Sequence, residues 1–529
     1  MSEIGVKAID QRIAELSPDQ LALLFERLGR TAPQRAAAVS AGRSDRASDA
    51  RPLSFGQERL WFLEQLSPGG SDYNVVSALR LRGAVALDAL EQALQEVVRR
   101  HEVLRTSFPT VDGGPVQRVE GELRCRPVRV GLAGLRRSDR ERESDRLAQR
   151  VALRPFDLAR APLLRICWID LDEHDHLLVL ALHHIVCDAW SLQILNRELV
   201  ELYRAFVTGQ PSPLPELAIQ YADHAERQRA ELSGERLERL LEHWRQQLQG
   251  APAEIEIPGA LPESGAGTPR GAEVIFSLGV RTTDALKALG RAERVTSFMM
   301  LTALFGALLH VESGQEDLCL GANAAQRGDL ASEELVGVFV NQVVLRLRPR
   351  GTLSFRELAR HVRAVTEEAH AHQELPFERL VEALCPERSS GRNALFQAKV
   401  ELQSAESGLE LPGLELSAID IAQAPLRCDL LLIGWSSGEG LTCSLIYDAG
   451  RFREDRVKQM AAGLVRIGEI VAEEPDISLR DLAERLARAS REQRAAERER
   501  LNAIDATKLK LTRRKGVLIR QEEGFDGGS

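Results

Sequence analysis

The stretch LHHIVCDAWS, Leu182 to Ser191, decides how this chain is read. It closes the apolar run HLLVLAL, so two adjacent imidazoles fall where a buried strand ends. Side chains alternate along a strand, which puts His183 and His184 on opposite faces, one free to meet a cavity while the other packs. A neutral imidazole near its ordinary pKa takes a proton from an amine or hydroxyl nucleophile, as acyl transfer to such an acceptor requires. Read alone, the same residues also suit two satisfied histidines capping a core strand, and both readings stay open at this point. A metal site is not expected, because the two rings diverge and no third ligand stands nearby. Asp188 is short and tightly placed, so it is expected to hold the turn through an arginine rather than to pair directly with His184.

Working outward, LLRICWIDL and HLLVLALHH are apolar runs separated by DEHD, the pattern of a hairpin of buried strands. LDALEQALQEVVRRHEVLRTSF has the three- and four-residue spacing of an amphipathic helix, with Leu90, Leu94, Val97 and Val98 inward. A linker-like VTGQPSPLPE precedes the strongly helical YADHAERQRAELSGERLERLLEHWRQQLQG. The pattern then recurs, with a strand at EVIFSLG, helices at TDALKALGRAE and TSFMMLTALFGALLHVES, and a strand at DLCLGAN. Two similar α/β lobes follow from this alternation. The expected division is a helical leader and linker over 1–50, a lobe carrying the histidines over 51–222, a second lobe over 223–485, and a charged helix with a basic and apolar tail over 486–529.

The 529 residues carry a net charge of -9, which argues against a general affinity for nucleic acid. Seven scattered cysteines with no CxxC pair read as reduced thiols. No basic and apolar leader opens the chain, and no run reaches the roughly 18 to 20 apolar residues of a membrane span. A cytoplasmic, monomeric protein without membrane contact is the expectation. In the tail TKLKLTRRKGVLIRQ, Leu509, Leu511, Val517 and Ile519 alternate with basic residues that include Arg513, Arg514 and Lys515. Such a segment can add as a strand to the sheet edge of an acidic partner.

Six further stretches accompany LHHIVCDAWS in a fixed order: LSFGQERLWFLEQL from Leu53, RHEVLRTSF from Arg100, IQYADHAERQ from Ile219, VGVFVNQVVLR from Val336, HQELPFERL from His372 and RSSGRNALFQ from Arg388. Together they resemble the motifs of the nonribosomal peptide synthetase condensation domains, whose signature is HHxxxDG, over about Arg51 to Pro475. The resemblance implies a fold like chloramphenicol acetyltransferase, a V-shaped pseudo-dimer of two lobes with an active-site tunnel between them. It implies catalysis by His184, a structural His183, a pairing of Asp188 with Arg327 of the second lobe, and a chamber position for Asn341. Tyr73, Asn74, Trp190 and Ser191 are expected near the substrate channel. Donor and acceptor carrier proteins would bring phosphopantetheine-bound substrates, with no cofactor held by the chain itself.

The implied activity is amide-forming acyl transfer in nonribosomal peptide or hybrid polyketide biosynthesis. Ester formation on a hydroxyl acceptor is the alternative within the fold, and a catalytically silent carrier-recruitment platform is the alternative outside catalysis. An epimerising relative would place an acid near VGVFVNQ, and a heterocyclising one would replace both histidines by acids. The departure from the motif is Ala189 in place of its glycine, expected to narrow the chamber floor without inactivating the site.

Overall fold

The computed structural model describes residues 50–492 apart from positions 67–68, 262–270, 329, 386–394, 404–410, 412, 420, 422–427 and 490. The leader, most of the motif from Arg388, and the tail with Leu509, Leu511, Arg513, Arg514, Lys515, Val517 and Ile519 lie outside the described residues.

The first lobe runs through α1 (Phe55–Leu66), β1 (Asn74–Arg82), α2 (Leu87–Arg100), β2 (Val128–Gly131), α3 (Arg137–Leu153), β3 (Leu164–Asp172), β4 (Asp175–His183) and α4 (Ala189–Val207). The runs LRICWIDLD and DHLLVLALH pair antiparallel as the expected hairpin, from Leu164 opposite Leu182 to Asp172 opposite Asp175. They are apolar on both faces because both faces are covered. Trp168, Leu178, Leu180 and Leu182 pack with Leu90, Leu94 and Leu199 of α2 and α4, while Ile169, Leu177 and Val179 pack with Ala148 of α3.

The amphipathic face of α2 points inward as its spacing predicts, but the helix stops at Arg100 and does not continue to Phe108. A buried ionic cluster sets that stop. Glu198 of α4 accepts from Arg100 Nε at 3.1 Å and Nη2 at 3.0 Å, and lies 2.9 Å from His101 Nε2. Holding both side chains on one carboxylate leaves His101 in extended backbone, and the chain turns through Glu102–Arg105 into the short strand Thr106–Ser107. Burial pushes the Glu198 carboxyl up, but its bonds to His101 and Arg100 hold it below the usual carboxylate range.

The second lobe follows with α5 (Tyr221–Glu231), α6 (Gly234–Leu248), β5 (Gly271–Ser277), α7 (Val280–Glu293), α8 (Ser297–Ser313), β6 (Leu318–Ala324), β7 (Asn341–Leu347), α9 (Phe355–Ala371), α10 (Phe377–Leu384), β8 (Ala398–Gln403), β9 (Glu415–Ala418), β10 (Leu430–Ser437), β11 (Gly440–Asp448) and α11 (Glu454–Glu473). Its sheet has the order β7-β6-β8-β10-β11-β5, with β6, β8 and β10 parallel. Every residue of α8 from Phe298 to His310 is buried, which explains why its sequence is apolar all round. Among the described residues no single helix is long and apolar enough to cross a membrane.

Two α/β lobes are present, but a division at residue 222 does not hold. Strand β9 leaves the second lobe and pairs antiparallel with β1, Leu416 opposite Leu81, completing the sheet β9-β1-β4-β3-β2. Leu335, Val336, Val338 and Phe339 likewise sit in the core of the first lobe. A short, mostly exposed strand such as ELSA carries too little pattern to announce which sheet it joins.

Replacing Glu198 with alanine leaves Arg100 buried without its counter-charge. The expected loss is about 3 to 5 kcal/mol of unfolding free energy, read from urea denaturation. A loss under about 1 kcal/mol would show that the cluster is dispensable.

Candidate active site

The two histidines part company at the end of β4. His183 is the last strand residue and only 2% exposed. Its Nδ1 accepts from the Ile185 N–H at 3.1 Å, so the ring proton sits on Nε2, 3.8 Å from Glu64 Oε2 of α1. The rings of Tyr73 and Phe156 lie 6.1 and 6.2 Å away. This ring is packed and oriented.

His184 opens a 3-10 turn, His184–Val186, and its N–H donates to the Tyr73 carbonyl at 2.7 Å. The turn, not strand alternation, separates the two rings, a correction to the opposite-face expectation. His184 is half-buried between neighbours of no measurable exposure, Ile185, Val186 and Cys187. Burial holds its imidazole below the ordinary histidine range, and the charge of Arg59 on α1 together with His183 acts the same way. Its own carbonyl and Asp188 oppose the shift without reversing it. The ring is therefore neutral at neutral pH.

Asp188 caps α4. Its Oδ1 accepts from the Ser191 N–H at 2.8 Å, the Ser191 hydroxyl at 2.7 Å and Arg327 Nη2 at 3.2 Å, and its Oδ2 accepts from the Phe339 N–H at 3.0 Å. Arg327 also donates through Nη1 to the carbonyls of Ser332 at 2.6 Å and Leu335 at 2.7 Å, and stacks 4.0 Å from the centre of the Phe339 ring. Both side chains are buried. Desolvation pushes the Asp188 carboxyl up, but the Arg327 charge and the bonds from Ser191 and Phe339 overrule it and hold the group below the usual range. With both oxygens so engaged, Asp188 fixes the turn and α4 rather than the His184 ring.

Several expected channel residues prove to be clamps. Ser191 is fully buried, and its hydroxyl accepts from Arg327 Nη2 and the Gly337 N–H, each at 3.0 Å, so it does not line a channel. Trp190 Nε1 donates to the Glu333 carbonyl at 3.3 Å, across the lobe boundary. Buried Asn74 donates to the carbonyls of Ala152 and Arg154 at 2.6 and 2.9 Å, holding the end of α3, and Tyr73 is buried against His183. Asn341 donates to the carbonyls of Gln373 and Leu375 at 2.8 and 2.7 Å and accepts from the Phe377 N–H at 3.1 Å. Its amide is spent on the turn into α10 and does not face a chamber.

Ala189 needs a correction too. It is the exposed first residue of α4 and is absent from the residues with positive φ, so its methyl group does not strain the backbone.

Three functional positions escape the sequence reading. Arg59 Nε bridges the lobes to Glu378 Oε1 at 3.1 Å while its charge reaches His184. Glu64, five residues further along the same helix, meets His183. Gly337 lies where an added Cβ would come 1.9 Å from the Tyr221 ring. The glycine inside the apolar run VGVFV is the one local sign, since an isolated glycine there marks a close approach.

A family model described as the condensation domain matches residues 47–492. A linear gramicidin synthase of Brevibacillus parabrevis is 37% identical over 431 residues, covering 81% of this chain and 8% of that protein. The phosphinothricin tripeptide synthetase PhsC of Streptomyces viridochromogenes is 37% identical over 469 residues, covering 88% of this chain and 43% of that protein. This chain thus spans less than half the length of either relative. Among solved structures, the X-domain from teicoplanin biosynthesis, determined in complex with OxyB, superposes with a TM-score of 0.72 at 27% identity, covering 85% of this chain and 98% of that one.

Substituting Asp188 with alanine strands Arg327 and the Phe339 N–H, with an expected cost of about 3 to 5 kcal/mol in denaturant unfolding. Because the folded carboxyl titrates below the unfolded one, its stabilisation is complete above about pH 4 and is lost as pH falls through the folded value. The acid-dependent part of the unfolding curve should therefore shrink in Asp188→Asn. Ala189→Gly, by contrast, is expected to cost no more than about 1 kcal/mol, as glycine does at a helical position. A larger loss would restore a special role to that position.

Proposed function

The chain belongs to the condensation-domain family, and from that premise we propose that it transfers the acyl group of a carrier-bound thioester to the amine of a carrier-bound or free acceptor. The observation that carries this reading is the half-buried His184 on a turn fixed from both lobes. The acceptor nitrogen attacks the thioester carbonyl, and a carbon–nitrogen bond forms as the carbon–sulfur bond breaks. His184 takes the proton that the nitrogen sheds and returns it to the departing thiolate, so no net proton is lost. The phosphopantetheine arms enter as parts of the substrates, and this chain holds neither. Support for an amide product comes from the relatives, which are named as synthases of a gramicidin and of a tripeptide. A hydroxyl acceptor would use the same base and give an ester.

A second reading, a recruitment platform, draws on the X-domain neighbour, which was solved bound to another protein. Loaded donor and acceptor carriers separate the two. On the catalytic reading His184→Ala lowers the transfer rate by about 10²- to 10⁴-fold. Wild-type transfer stays flat from neutral pH downward and falls only below about pH 6.5, where a ring with a depressed pKa at last gains its proton. Full activity of the alanine variant would remove His184 from the mechanism. Carrier binding without product from any loaded pair would leave the platform.

A further inference from the structure

Strand β6 ends at the lobe boundary. The chain leaving β6 at Ala324 reaches Arg327 within three residues, and Arg327 meets Asp188 beside the His184 turn. On one face of the parallel strands β6, β8 and β10, Ala322, Ala324, Val400 and Leu432 are buried in the core of the second lobe. The opposite face carries Asn323, Lys399, Glu401 and Ile433, none fully buried.

On that face, Lys399 Nζ lies 2.7 Å from Glu401 Oε1, and Asn323 Nδ2 donates to the same oxygen at 2.8 Å. The lysine and glutamate side chains are 13% and 23% exposed, and the register sets Glu401 beside Ile433. Both contacts fall on Oε1, so among the described residues Oε2 keeps its accepting capacity and the ammonium keeps two N–H groups. A partly desolvated ion pair is poorly explained by stability, because well-packed apolar residues serve as well or better. As the pair is net neutral, an ionic group is attracted by one member and repelled by the other, so little repays its lost hydration. A neutral group with both a donor and an acceptor satisfies Oε2 and Nζ together.

Resting on the catalytic reading of this chain, we propose that Asn323, Lys399 and Glu401 form a selectivity site for a neutral hydrogen-bonding side chain, a carboxamide or a hydroxyl, on a substrate brought to His184. Either the donor or the acceptor can carry that side chain, and the two arms of one experiment separate them. Glutaminyl, glutamyl, lysyl and norleucyl groups are presented on pantetheine, first as donors to a fixed acceptor and then as acceptors of a fixed donor. In one arm wild-type protein is expected to favour glutaminyl over norleucyl by roughly tenfold in kcat/KM, with both ionic side chains below glutaminyl. The double variant Lys399→Met, Glu401→Leu should fold and bring the glutaminyl-to-norleucyl ratio to about one. No preference in wild type in either arm, or a ratio unchanged in the variant, overturns the site.

Calorimetric titration of the full chain with non-hydrolysable glutaminyl and norleucyl pantetheine amides reads the same preference without turnover. Discrimination that depends on the pair, alongside transfer indifferent to His184→Ala, would sink the catalytic reading and keep the site. Transfer that needs His184, with no discrimination in binding or rate, would do the reverse.

Discussion

The buried contact between Arg327 and Asp188 is the constraint on which the rest of this molecule depends. A carboxylate and a guanidinium withdrawn from water are tolerable only if nearly every polar atom finds a partner, and here each supplies several. The consequence is geometric. One carboxylate fixes the start of α4, the main chain at Phe339 and the exit of β6, joining the first lobe to a segment well over a hundred residues later. The Ser191 hydroxyl extends the hold by accepting from the Gly337 N–H. The turn bearing His184 is pinned between α4 and β4, and it inherits that rigidity.

Within this frame, the two neighbouring imidazoles are given different chemistry by what surrounds them. His183 spends Nδ1 on a main-chain N–H and turns Nε2 toward the Glu64 carboxylate. His184 has no carboxylate bonded to it among the described residues, lies within reach of the Arg59 charge, and is half-buried. One helix, α1, therefore presents a carboxylate to the His183 ring and a positive charge to the His184 ring. Arg59 is also tied across the boundary to Glu378, so the electrostatics of the His184 ring are set by both lobes.

Much of this was legible in the sequence where the signal is local. The buried hairpin, the inward face of α2 and the apolar α8 follow from periodicity, and ordered motifs pointed to His184, Asp188 and Arg327. What periodicity cannot carry is a partner supplied by another segment. The helix expected to continue beyond Arg100 ends there because Glu198, far along the chain, captures Arg100 and His101 together. Strand β9 has no pattern of its own strong enough to show that it crosses to the other sheet. Asn74, Ser191 and Asn341 look alike as polar residues beside motifs. Only the carbonyls and N–H groups they meet distinguish a clamp from a channel wall. Ala189 stood out because it broke a motif, yet an exposed helical position has no use for glycine's conformational range.

The interlocking of the lobes has a chemical consequence. Asn323 and Arg327 lie four residues apart at the carboxyl end of β6, one bonded to Glu401 and the other to Asp188. A displacement of that strand end would disturb the polar face of the second sheet and the turn of the first lobe together. Domains that share only a hinge can adjust recognition and chemistry separately. Here β9 pairs with β1, residues 335–339 fill the first core, and Arg59 bridges to Glu378, so such independence is not available. Sub-ångström adjustments on one side of the boundary must be absorbed by packed elements on the other, because interiors at crystal-like density transmit strain. Substrate fit at Glu401 and the placement of His184 are therefore properties of one connected unit.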